Sequence, residues 1–470
     1  MLFNSLTFLI FGCLFFLLWP LARQRRHWRW GFVTVASFVF YGWWDWRFIF
    51  LIMASGLLDF FAALGMQRWP RLKGPLLIAS IIGNVGSLAI FKYFIFLTTN
   101  INSALHAAGA GWQLPVIQVA LPIGISFYTF QSMSYTIDVY RGKMRPTRNV
   151  LHFFAYLSMF PQLVAGPIIR ASHLLPQLEE RKEITETDRW EGLKLVTFGY
   201  FKKVVLADNL APAVNLAFGS STVEQSAVYW WLAVSMFAMQ IYFDFSGYSD
   251  IARGLGRWMG YDFPLNFNHP YRAASLREFW NRWHISLSTW FRDYVYIPLG
   301  GSRRGKLFAY INLWIAMLLS GLWHGAAWNF VIWGSLHAAY VSLERLTSWP
   351  ERLRRIPGGR FVAWLMVLVL VWIGWVFFRA ESMGQAMEIL TVMFNPALLG
   401  ITALPPIFTV AMVFLALGAA NELIHRFDLD RLYKASKISM RFAEPSVIAA
   451  MLVACIYLRG PGSAFIYFQF

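Results

Sequence analysis

Apolar residues fall in long blocks broken by short clusters of arginine and lysine. The first block, residues 3–22, is long enough to cross a bilayer core. No basic residue precedes it and no small-residue cleavage site follows, so it reads as a span rather than a removable leader. Arg23, Arg25, Arg26 and Arg29 come directly after it. Basic loops hold the cytoplasmic side, which places the N-terminus outside. Blocks 31–44 and 48–66 follow as a pair, and Arg68, Arg71 and Lys73 return to the basic side. Block 75–97 crosses outward, with Lys92 close enough to its end to reach the interface. Residues 98–118 hold no Lys, Arg, Asp or Glu and read as an outside loop, and 119–137 crosses back to Arg141, Lys143, Arg145 and Arg148.

The pattern weakens between 151 and 206. Block 153–169 is interrupted by Pro161 and by Gly166-Pro167, and 193–206 is short and carries Lys202 and Lys203. Block 229–245 must end on the basic side, because residues 253–306 hold nine Lys/Arg against three Asp/Glu. Only one of the two weak blocks then crosses fully. The other is re-entrant or interfacial, a form tolerated where protein or a cavity covers the backbone. Blocks 307–323 and 328–343 read as a hairpin, followed by Arg345, Arg352, Arg354, Arg355 and Arg360; 361–378, 407–424 and 446–458 complete the set. The expected fold is an all-α polytopic membrane protein of about 11–12 crossings in a single domain, 1–470.

Composition agrees. Apolar residues make up 58% of the 470 and charged residues 14%, too few charges to solvate a soluble protein of this size. The net charge of +17 is assigned to basic loops meeting anionic lipid head groups. Nucleic-acid binding is not expected, since no basic and aromatic stretch lies outside an apolar context. Cys13 and Cys455 both sit in apolar blocks, which supports neither a disulfide framework nor a thiolate metal site.

Candidate chemistry concentrates in residues 243–305, rich in Trp, Tyr and Arg and too polar to face lipid. The segment is either a set of interfacial helices or a polar wall of a site. Asp244 lies at the end of an apolar block, where a carboxylate must be paired or wet; a nearby arginine is the plain expectation. His27, His106, His152, His173 and His425 lie in loops or near charges and read as structural. His269 reads as a turn residue, and His337 as a buried hydrogen-bonding group. His324 differs, because it stands in Gly321-Leu322-Trp323-His324-Gly325, where glycines allow close approach of backbone or ligand. A neutral imidazole can accept a proton from a hydroxyl near working pH. No G-x-S-x-G elbow is present, and no two histidines have the close spacing of a metal site. Gly254, Gly256 and Gly260 make a poor dinucleotide fingerprint, and the H-x4-D spacing of His425 and Asp430 is of a kind that charged loops produce easily.

Four ordered runs carry a resemblance: Leu121 to Phe130 (LPIGISFYTF), Tyr242 to Asp250 (YFDFSGYSD), Phe279 to Trp290 (FWNRWHISLSTW) and Gly321 to Gly325 (GLWHG). Across 121–334 the chain resembles the membrane-bound O-acyltransferases (MBOAT), in particular the bacterial alginate O-acetyltransferase subgroup. The resemblance implies helices around a central funnel or pore, with His324 as the essential intramembrane histidine and His284 as a second histidine on the opposing wall. It implies a bacterial inner membrane and no bound cofactor. The acyl donor is cytoplasmic, with acetyl-CoA expected, and a periplasmic or membrane-anchored acetyltransferase partner modifies an exopolysaccharide such as alginate or cellulose. Asn281, Trp283, Asp244 and Trp323 are candidates for binding donor or substrate. Peptidoglycan, teichoic acid, lipid or protein remain open as acceptors. A transporter that makes no bond remains a rival; it predicts paired internal repeats, and the sequence shows none.

Overall fold

A computed structural model describes residues 1–164, 166–400, 403–426 and 440–468, and all regular structure among them is helical. By contacts the chain divides into two compact units, Met1–Gly192 with Ala252–Pro264, and Leu193–Ile251 with Leu265–Phe470.

The first unit opens with α1 (Leu6–Ala22), capped by the Ser5 hydroxyl, which accepts from the Phe8 N–H. Phe8, Phe15, Trp19 and Ala22 are buried, while Leu6, Leu9, Leu14, Leu17 and Leu21 are exposed. An outer face as apolar as the inner one suits lipid rather than water. α2 (Arg26–Gly42) and α3 (Arg47–Arg68) follow. α4 (Lys73–Leu88) runs through a π-helical stretch, Ala89–Tyr93, into α5 (Phe94–Ala107). The uncharged stretch expected as an outside loop from residue 98 is therefore helical to Ala107; lack of charge is equally compatible with a helix end.

α6 (Ile125–Tyr140) starts six residues later than the apolar block. Gly124 sits before it at φ +77°, where a Cβ would lie 2.8 Å from the Leu163 carbonyl oxygen. Every residue of α6 from Ile125 to Val139 is buried. The buried Asp59 of α3 accepts from the Ser80 hydroxyl (2.5 Å), the Asn84 amide (2.8 Å) and Ser132 of α6, which ties three helices through polar contacts. The interrupted block 153–169 becomes two short helices, α7 (Val150–Leu157) and α8 (Phe160–Leu163), too short to span. After α9 (Ala171–Glu179), the guanidinium of buried Arg29 donates to the Leu178 and Glu179 carbonyls at 2.7 and 2.8 Å, satisfying the last carbonyls of that helix.

α10 (Glu186–Tyr200) carries the chain into the second unit. It continues through a π-helical stretch, Phe201–Ala207, into α11 (Asp208–Phe218). The weak block 193–206 is thus part of a long helical run. α12 (Ala227–Met259) has 33 residues, about 50 Å at 1.5 Å per residue. Gly199 and Gly247 meet where α10 and α12 cross: a Cβ on either would lie 2.6 or 2.7 Å from the other's carbonyl oxygen.

Two short helices, α13 (Leu276–Trp280) and α14 (Ile285–Phe291), precede α15 (Lys306–His324) and α16 (Trp328–Thr347), the expected hairpin. α17 (Trp349–Leu353), α18 (Gly359–Arg379), α19 (Met383–Met393), α20 (Pro406–Arg426) and α21 (Met440–Tyr457) complete the unit. A Cβ on Gly321 would lie 2.2 Å from the Phe330 carbonyl oxygen, and one on Gly334 2.5 Å from that of Met317, so α15 and α16 pack backbone to backbone.

Among the described residues, four helices are long and apolar enough to cross a membrane: Arg47–Arg68, Pro70–Ala107, Lys306–His324 and Gly359–Arg379. Leu6–Ala22, Pro406–Glu422 and Ala443–Tyr457 are apolar but shorter. The other crossings expected from the sequence, on α2, α6, α12 and α16, are not among these: α2 and α6 have only 17 and 16 residues, and all four carry buried polar side chains such as Ser37, Gln131, Gln240 and Asn329, which lower their hydropathy.

Candidate active site

His324 is the last residue of α15, and Gly325 breaks the helix behind it. A Cβ at Gly325 would lie 2.0 Å from the Phe330 ring, so only glycine lets the chain turn there. The His324 side chain is 3% exposed. Its ring lies 5.0 Å from Trp323, 5.0 Å from Trp333, 5.1 Å from Phe378 and 5.5 Å from Tyr467.

His284 is built differently. It caps α14 at φ +41°, a left-handed conformation rare for a side chain larger than glycine or asparagine. The strain is held by backbone pairing on both sides: Asn268 N–H to the Arg282 carbonyl at 2.9 Å, and Ile285 N–H to the Asn266 carbonyl at 2.8 Å. The Asn266 side chain accepts from the Ser286 N–H and hydroxyl at 3.2 and 3.0 Å. Non-glycine residues held this way cluster at functional sites. The His284 ring meets Phe245 at 4.6 Å, Trp323 at 5.8 Å and Tyr467 at 6.4 Å. Trp323 and Tyr467 therefore touch both histidines. His284→Ala is expected to lose roughly 2–4 kcal/mol, because it leaves a cavity where a buried ring stood, and His284→Asn, which tolerates the left-handed backbone better than alanine, to lose less; thermal unfolding in detergent checks the difference.

A cavity of about 330 Å³ is lined by residues of α13, α14, α15 and α16; neither histidine lines it. Arg277, Asn281, Arg292 and Arg345 line it together with Trp280, and it reaches Ser320, one helical turn before His324 on α15. Glu344 of α16 fixes one wall, accepting from the Leu276 and Arg277 N–H groups at 2.5 and 3.2 Å. Asn281 thus faces the cavity. Trp283 does not line it; it is buried against Trp375 at 5.0 Å and Phe267 at 5.1 Å, behind His284.

Asp244 stands apart from the cavity lining. Its partner is a lysine rather than an arginine: Lys203 lies 2.8 Å away and also 2.9 Å from Asp208. Three other histidines are held by local contacts. His152 bonds Thr147 and the Leu175 carbonyl, both at 3.0 Å. His269 is a left-handed turn residue whose ring meets Glu422 at 2.9 Å, and His337 packs on Trp333 at 4.7 Å. Gly254 and Gly256 lie inside α12, which gives the fingerprint no loop to form. The side chains of His425 and Asp430 lie outside the described residues. Tyr467, Trp333 and Phe378 are site residues that the sequence reading missed. The signal for Tyr467 was the aromatic run Phe465 to Phe468 following Gly460-Pro461-Gly462.

An all-helical membrane chain with two buried histidines joined by shared aromatic rings, and an arginine-lined cavity that reaches the turn before one of them, fits a multi-pass acyl-transfer enzyme. Residues 141–385 match the membrane-bound O-acyltransferase family, MBOAT. A probable alginate O-acetylase, AlgI, of Azotobacter vinelandii is 39% identical over 409 residues, 84% of this chain and 78% of that protein. The corresponding protein of Pseudomonas putida is 40% identical over 404 residues, 84% and 80% of the two chains. A peptidoglycan O-acetyltransferase of Helicobacter pylori is 36% identical over 386 residues, 76% and 72%. The chain belongs to the membrane-bound O-acyltransferase family and is an O-acyltransferase of AlgI-like type.

Proposed function

We propose that this enzyme transfers an acetyl group from acetyl-CoA, entering from the cytoplasm, to a hydroxyl that leads to O-acetylation of an exopolysaccharide outside the inner membrane. The observation that carries this reading is the cavity that joins three arginines to the helical turn below His324. Coenzyme A is a polyanion on a long flexible arm, and guanidinium groups recognise phosphates by paired donors. Arg277, Arg292 and Arg345 hold the phosphates, and the thioester extends past Asn281 toward Ser320 and His324.

Nε2 or Nδ1 of His324, whichever is unprotonated, accepts the proton of the acceptor hydroxyl. The hydroxyl oxygen attacks the thioester carbonyl, the carbon–sulfur bond breaks, and the coenzyme A thiolate leaves with the proton returned from the imidazolium. Trp323, Trp333, Phe378 and Tyr467 exclude water around His324, which limits hydrolysis of the thioester. The relatives' names, alginate O-acetylase and peptidoglycan O-acetyltransferase, support acetyl as the group and an extracytoplasmic polymer as its destination. In keeping with that, the acceptor is presented by a periplasmic or membrane-anchored acetyltransferase partner, and the N-terminus faces the periplasm.

The test uses purified protein with labelled acetyl-CoA, alone and with the candidate partner. Acceptor-dependent release of free coenzyme A supports the reading; no release with any tested donor overturns it. Arg277→Glu and Arg345→Glu are each expected to raise KM for acetyl-CoA about tenfold, with kcat little changed. The difference should widen at low ionic strength, because these side chains are partly exposed and salt screens them.

A further inference from the structure

We propose that residues 458–468 form a wall of the active site, and that Lys203, with Asp208 and Asp244, is the positioning group that holds this segment so that Tyr467 lies against both histidines.

The triad is buried: Lys203, Asp208 and Asp244 are 1%, 1% and 2% exposed. The ammonium forms ion pairs with two carboxylates and donates a hydrogen bond to one carbonyl. Lys203 Nζ reaches Asp208 at 2.9 Å, Asp244 at 2.8 Å and the Ser463 carbonyl at 3.0 Å. Two carboxylates offer more acceptor positions than one ammonium fills, and the C-terminal segment supplies a further donor. The Ile466 N–H donates to Asp244 at 2.7 Å.

Further anchors lie on the same helical run. The Gly460 N–H donates to the Val204 carbonyl at 2.8 Å, and the Asn209 amide donates to the Leu458 carbonyl at 2.8 Å. A Cβ on Gly460 would lie 2.4 Å from the Asp208 backbone, so the segment lies flat on the start of α11. Lys203 and Val204 belong to the π-helical stretch Phe201–Ala207, an irregularity common at functional sites.

Beyond the anchors, the side chains point into the site. Phe465 is fully buried and lies 4.6 Å from Tyr248 and 5.5 Å from Phe245. Tyr467 lies 4.7 Å from Phe245 and meets the rings of His324, His284, Trp323 and Phe378. The Tyr467 hydroxyl is buried and makes no hydrogen bond among the described residues. A buried ionic cluster is often replaceable by apolar side chains without loss of stability, so stability does not by itself account for this one. Its bonds to the segment are made to backbone groups, and their effect is to fix where Tyr467 stands.

The proposal rests on His324 and His284 being the reacting site. The experiment measures acceptor-dependent coenzyme A release by purified wild type, Lys203→Met, Tyr467→Ala and the double variant. Each single change should lower kcat about 100-fold, the scale of an ångström of misplacement, with KM for acetyl-CoA changed less than about twofold. The double variant should be no slower than the slower single variant, because both changes break one device. Lys203→Arg should restore part of the rate. Wild-type turnover in Lys203→Met, or losses that multiply in the double variant, would overturn the proposal. Should Lys203→Met fail to accumulate, Asp244→Asn, which keeps an oxygen for the Ile466 N–H, takes its place in the same cycle. His324→Ala is run alongside. If it keeps full activity, the base assignment falls, while the cycle still reports whether Lys203 and Tyr467 act together.

Discussion

If His324 is the proposed base, replacing it with alanine will abolish acetyl transfer to the polymer in cells while the protein stays in the membrane at its normal level. Losing a general base costs about 10²–10⁴-fold, more than a cellular acetylation assay can miss. The fold should tolerate the change, since His324 ends α15 and its neighbours Trp323, Trp333 and Phe378 pack on one another or on other residues of the unit. Truncating a buried ring leaves a cavity worth roughly 2–4 kcal/mol, so stability will fall without collapse. Membrane-fraction immunoblotting beside an assay of bound acetate separates lost chemistry from lost protein.

The second large effect falls on Gly321. A leucine there would drive its Cβ to 2.2 Å from the Phe330 carbonyl oxygen and bring bulk against Gly334, whose Cα would lie 3.3 Å from that Cβ. Backbone cannot yield as a flexible side chain can, so α15 and α16 must separate. Overpacking costs about 1–3 kcal/mol at ordinary core sites, and a backbone contact of this kind exceeds that range. Gly321→Leu is expected to remove the protein from the membrane fraction. Gly12→Leu, at an α1 position where a Cβ meets nothing within 4 Å, should accumulate normally, and immunoblotting of the two variants checks the contrast.

Much of this architecture was legible in the sequence. The hairpin expected at 307–323 and 328–343 forms as Lys306–His324 and Trp328–Thr347, two apolar blocks separated at Gly325, whose extended backbone ends the first helix. The motif Tyr242 to Asp250 marked a special segment, and the structure gives its physical content. Asp244 pairs with Lys203, Gly247 permits the crossing at Gly199, and Asp250 pairs with Lys202 at 2.7 Å.

The C-terminal wall was not legible. Phe465 and Tyr467 follow the last apolar block with no helical or strand period, and their anchor Lys203 lies some 260 residues earlier. In the sequence Lys203 looked like an interruption of a weak span. A lysine in an apolar block is costly unless paired, and its partners came from the start of α11, from α12 and from the chain's end, which no local pattern connects. The late start of α6 escaped for a related reason: a left-handed Gly124 against the Leu163 carbonyl depends on a contact forty residues away.

The most direct test of the base role uses purified His324→Ala with acetyl-CoA, the acceptor partner and added imidazole. Without added base the variant should bind donor yet release almost no coenzyme A. With imidazole, acceptor-dependent release should return in proportion to its concentration and rise with the basicity of substituted imidazoles small enough to fit. Release at the wild-type rate with no base added would contradict the account, because proton acceptance would then lie with another group.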